Sequence, residues 1–129
     1  MPASRARIQT LLAEQRHWQQ ASARFFQAWK QAAQLAGPYY FGDGSDASVG
    51  LASAKNDLRP NLEKISNAIG AISSGQGVFL AVLYSFYNDE DAQELLQRAG
   101  VKGMADIASR LDLPRRQLIA ELLVNYNGW

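Results

Sequence analysis

This sequence predicts an all-α fold, a single-domain bundle of five to six helices with a long N-terminal helix, over residues 1–129. Three observations support the prediction. Apolar residues recur at helical spacing in the first third of the chain and again from Leu58. Residues with capping chemistry and glycine-containing breaks punctuate the remainder. The one continuous apolar run has no second run with which it could build a sheet. At 129 residues the chain can bury a core without disulfides, and it has no cysteine with which to make any.

The first helix is the clearest. Ile8, Leu11, Gln15, Trp18, Ser22, Phe25, Trp29, Ala32 and Ala36 follow alternating steps of three and four, a seam broadened by Leu12, Phe26 and Ala33. Ser4 is a candidate N-cap, and Gly37 with Pro38 is a stop. So long a helix in a small domain needs neighbours along its whole length or a partner chain. The start, MPASRARIQTLL, has no apolar stretch fit for a secretory signal. It has the Arg-rich, acid-poor look of a transit peptide, but the same helical pattern runs on past Trp29, so it is read as helix.

The stretch GPYYFGDGSDASVG, residues 37–50, is expected to be a loop pinned by its adjacent aromatics. Leu58, Leu62, Ile65, Ile69 and Ile72 then mark a second amphipathic helix, with Asp57 as its cap and Pro60 in its first turn. SSGQG, residues 73–77, ends that helix and starts another, Ser73 and Gln76 having capping-box spacing. The run VFLAVLYSFY, residues 78–87, is apolar on nearly every side and is expected to be a central buried helix. It would extend about 15 Å against a bilayer core of about 30 Å, too short to span a membrane. Asn88 or Asp89 caps an acid-led helix that ends at Gly100. Two more helices follow, 103–111 and 113–125, with Asp112 between them.

The net charge of +1 gives no global pull toward nucleic acid or a membrane. The charges are nonetheless uneven. Arg5, Arg7, Arg16, Arg24 and Lys30 face only Glu14 in the first helix, while Asp89, Glu90, Asp91 and Glu94 face only Arg98 in residues 89–100. Attraction between two parts of one bundle is the ordinary use of such asymmetry. The lack of cysteine fits a reducing compartment, and a cytoplasmic location is expected.

No set of residues assembles catalytic roles. Glu14 and His17 have the E-x-x-H spacing of dimetal helical bundles, but those need two such pairs and further carboxylates, and this chain has one histidine. GDGSDA, residues 42–47, follows a helix break where a dinucleotide fingerprint needs a strand. Counted as a calcium loop from Asp43, its twelfth position is Ala54 where a bidentate Glu is required. SSGQG lacks the Lys-Ser/Thr of a Walker loop. The acids near residue 90 are explained by helix capping. The expectation is therefore a non-enzyme with no cofactor, no metal and no small-molecule substrate.

Residues 104–123, MADIASRLDLPRRQLIAELL, resemble a generic helix-turn-helix. Ile107 and Ala108 match the first helix, Leu111 and Leu113 flank the turn, and Leu118 matches the inner position of the second helix. Asp112 stands where that motif usually has a glycine with positive φ. The resemblance implies duplex DNA as a partner, with Arg110, Arg115, Arg116 and Gln117 as candidate contacts. On a helical wheel, however, apolar residues cover about two thirds of the second helix, leaving one polar stripe of Gln117, Glu121 and Asn125. That helix is expected to be buried on most sides, and Glu121 would repel phosphate. The preferred reading is macromolecule binding with a protein partner or self-association, Tyr39, Tyr40, Phe41 and Trp129 being candidate interface residues.

Overall fold

A computed structural model of the chain describes residues 2–129, with side chains from Ser4 onward. Seven α-helices follow one another: α1 Pro2–Ala36, α2 Asp46–Leu51, α3 Leu62–Ala68, α4 Ser74–Tyr87, α5 Asp89–Arg98, α6 Met104–Arg110 and α7 Leu113–Asn125. Short 3-10 turns at Pro38–Tyr40 and Lys55–Leu58 complete the described secondary structure, apart from one isolated antiparallel bridge between Phe41 and Pro60. The all-α class is the predicted one. The additional helix is α2, inside the segment expected to be loop, and Ser45 starts it by accepting a hydrogen bond from the Ser48 N–H.

Local chemistry accounts for the boundaries. α1 already includes Pro2, so Ser4 lies in its first turn rather than capping it. Gly37, at φ 118°, ends α1 as expected. The second amphipathic segment starts later than its pattern suggests. Asn61, not Asp57, caps α3, accepting from the Lys64 N–H. Asp57 instead accepts from the N–H groups of Ser53 and Ala54, holding the preceding 3-10 turn, while Leu58 is buried from that turn. Pro60 explains the shift, because a residue before proline avoids helical ψ.

Ser73 caps α4 through the Gln76 N–H, but the Gln76 side chain donates to the Ala36 carbonyl instead of returning to the cap. It thereby ties α4 to the end of α1. Gly75 is needed here, since a Cβ would meet the Arg110 carbonyl oxygen at 2.8 Å. Asn88 caps α5, and Asp112 caps α7.

The core forms around α4, whose residues from Gly77 to Tyr84 are all buried. Phe25, Trp29, Ala32 and Ala36 of α1, Phe41, Leu58, Ile65, Leu95, Ile119 and Leu122 close around it. The Trp29 indole donates to the Leu58 carbonyl at 2.8 Å, satisfying its one polar atom inside the core. α7 runs antiparallel along α1, with Pro114 and Gln31 lining one end of their contact and Val124 and His17 meeting at the other.

The principal neighbour of α7 is α1. One expectation about α7 is corrected, since it is not buried on most sides: Ile119, Leu122 and Asn125 are buried, while Leu113, Leu123 and Val124 are exposed. A helix lying on one neighbour and capping one edge of the core has only one face to bury, whatever its wheel contains.

Candidate protein-interaction surface

α1 outruns everything packed against it. Its 35 residues extend about 52 Å, whereas the 13 residues of α7 extend about 20 Å. From Ser4 to Gln20 every residue except His17 is exposed, and burial begins at Ala21. The seam predicted from residue 8 to residue 36 therefore divides into two parts. Phe25, Trp29, Ala32 and Ala36 enter the core, but Ile8, Leu11, Leu12 and Trp18 remain 49–57% exposed. This exposed half of the helix, residues 4–20, forms an arm.

His17 marks the root of the arm. Its Nε2 lies 2.9 Å from the Val124 carbonyl oxygen, so that nitrogen carries the proton and donates. The bond satisfies one of the carbonyls left free at the end of α7. Glu14 is exposed beside it. Among the described residues, no group of three or more His, Asp or Glu is placed to hold a metal ion.

The second feature is a groove of about 600 Å³ bounded by α4, α5, α6 and α7. Val82, Phe86, Leu96, Ile107, Ile119 and Leu123 form its apolar walls, and the exposed Asp89 and Glu90 stand at its edge. Met104 and Leu123, both more than half exposed, lie at its mouth. A second groove between α1 and α7, lined by both polar and apolar residues including Arg24, Gln27, Leu118 and Glu121, is of similar size.

The candidate interface aromatics separate. Tyr39 is exposed, with the Lys64 ammonium 4.4 Å from its ring centroid. Tyr40 is partly buried against the core, and its carbonyl accepts from the Asn61 N–H. Phe41 is fully buried, edge-on to Trp29 at 5.8 Å. Trp129 is half-buried, donates to Asn56 Oδ1 at 2.7 Å and packs on Trp29, Phe25 and Tyr87. Phe41 and Trp129 thus both take part in the packing of this chain. Aromatic runs beside glycines satisfy the core as readily as they satisfy a partner.

The candidate DNA contacts are mostly committed internally. Arg110 forms a two-pronged pair with Asp106, at 3.1 and 2.9 Å, and donates to the carbonyls of Ala99 and Gly100. Arg115 pairs with Asp112 at 2.6 Å, donates to Gln76 and lies over the Phe79 ring. Arg116 bonds the Leu111 carbonyl through Nε; Arg116 and Gln117 are exposed. The turn also departs from the helix-turn-helix it resembles. Leu111 (φ −102°, ψ 135°) and Asp112 (φ −70°, ψ 171°) are both extended, so no residue there takes positive φ.

The intramolecular charge attraction expected between the first helix and residues 89–100 is not made. Among the described residues the ion pairs are Arg110–Asp106 and Arg115–Asp112. Arg5, Arg7 and Arg16 on the arm, and Asp89 and Glu90 at the groove, take part in neither.

The arm was partly legible in the sequence as a seam too long for a small domain. The groove was not, because its walls come from four helices whose arrangement no local pattern encodes. No helix among the described residues is long and apolar enough to cross a membrane. Compared with protein-family models, curated proteins and solved structures, the chain matches none.

Proposed function

We propose that this protein is a non-enzymatic interaction domain, working in a reducing compartment such as the cytoplasm, that engages a protein partner through the arm of α1. The carrying observation is the exposed continuation of a core seam: Ile8, Leu11, Leu12 and Trp18 keep the spacing of residues that are buried further along the same helix. Helix-in-groove recognition uses such anchors at steps of three and four. A contiguous apolar stripe on an exposed helix costs solubility unless something covers it. The absence of cysteine supports the reducing compartment.

A photo-crosslinking residue at position 11, with one at Gln34 as an exposed control on the docked half of α1, tests this reading in cells. Crosslinking to protein from position 11 and not from position 34 is expected. Equal or absent crosslinking at both would remove it. Light scattering with duplex DNA at low salt separates the nucleic-acid alternative: the expected result is no change in mass, because Arg110 and Arg115 are occupied.

A further inference from the structure

Resting on the reading of the arm as a docking element, we propose that its partner is a second copy of this chain. The arm of each copy lies in the α4–α7 groove of the other, the two exchanging arms about a two-fold axis.

The arm cannot fill its own groove. No glycine or proline interrupts α1 between Ser4 and Ala36, and one face of the helix from Ala21 onward, with Phe25, Trp29, Ala32 and Ala36, is held in the core. The unbroken helix therefore carries its tip about 25 Å away from Ala21. Another copy is free of that constraint.

The two surfaces match in chemistry. Ile8, Leu11 and Leu12 form an i, i+3, i+4 cluster, the usual set of anchors for a helix laid in an apolar groove. The groove offers apolar walls, including Phe86, Ile107 and Leu123, in a space of about 600 Å³. Helical geometry puts Arg5 and Arg16 on one flank of the cluster and Arg7 on the other. Asp89 and Glu90 edge the groove, and within one chain these acids and arginines form no ion pair. Docking brings the two unused charge sets together, and the like-charged arms have no such attraction for each other. Two-fold exchange doubles the area that a single arm would bury, which moves a small contact toward the size of a stable interface.

Sedimentation velocity on the full chain, from about 1 µM to about 1 mM, is the test. A dimer is expected. Arg5→Glu/Arg16→Glu in the arm, or Asp89→Lys/Glu90→Lys at the groove, is expected to weaken it at least about tenfold. Mixing the two variants is expected to restore association, since each arm then meets a groove of opposite charge. Leu11→Asp, at an exposed position that leaves the fold intact, is expected to give a monomer.

A chain monomeric throughout, or a dimer insensitive to Leu11→Asp, overturns the proposal. So does failure of the mixed variants to associate, or a monomeric chain whose arm sediments with anionic vesicles. A monomer whose position 11 crosslinks to a different protein removes this proposal and leaves the interaction reading standing. Loss of crosslinking at position 11 removes both.

Discussion

Trp129 stands edge-on to Trp29, ring centroids 4.9 Å apart and planes at 74°, so the segment after α7 is joined to the C-terminal half of α1. The contact is reinforced by the indole bond to Asn56 and by the Lys55 ammonium 5.2 Å above the Trp129 ring. Burial of Lys55 in this surround lowers its pKa from the usual lysine range. Trp129→Ala is expected to destabilise the fold by about 2–3 kcal/mol, and Trp29→Ala by about 3–5 kcal/mol. Urea unfolding measures both; an unchanged midpoint for Trp129→Ala would return that residue to the surface.

Arg110 joins three helices. Its guanidinium holds Asp106 on its own helix, caps the end of α5 through the Ala99 and Gly100 carbonyls and reaches Ser74 Oγ at 3.5 Å. Arg110→Ala is expected to cost about 2 kcal/mol, and Arg110→Lys to recover only part, since an ammonium lacks the planar fork. Thermal unfolding checks this, and a loss of DNA binding without a loss of stability would contradict it.

Acid should loosen the loops before the core. The N–H of Lys102, followed by the Arg110 side chain, holds Asp106 below the usual carboxylate range; the N–H groups of Ser53 and Ala54 do the same for Asp57. A carboxylate with a depressed folded pKa contributes stability that is complete above its unfolded pKa and is lost as pH falls through the folded value. Stability is therefore expected to decline below about pH 4. In Asp57→Asn and Asp106→Asn variants the decline should be shallower, as urea midpoints taken at successive pH values would show.

The arm contributes little to folding. Its residues up to Arg16 are exposed, and an isolated helical stretch of that length is marginal in water. Removing residues 1–16 is expected to change unfolding free energy by less than about 1 kcal/mol. In the dilute full chain, amides of residues 5–16 should exchange far faster than those of residues 25–36. Equal protection of the two halves in a monomer would show that the arm is held by contacts absent from this structure.

Much of the fold was legible because its signals are local. Steps of three and four, the Ser73 and Asn88 caps and the glycine stops act within a few residues of themselves, and the corresponding helices form where they point. The misplaced boundaries arise where two local signals compete. Leu58 keeps helical phase with Leu62, but Pro60 bars a helix between them and Asp57 turns back to Ser53.

The sequence by itself determined an all-helical chain with a buried central helix, a long apolar seam in its first helix and two opposed runs of charge. Tertiary structure alone decided which parts of those patterns find partners. α7 is too short to cover α1, so half the seam stays in water, and it lies on α1 in a way that leaves Leu123 and Val124 outside. Periodicity states which residues could share a face; burial depends on how far the neighbouring helices reach, and that is set by contacts distant in sequence.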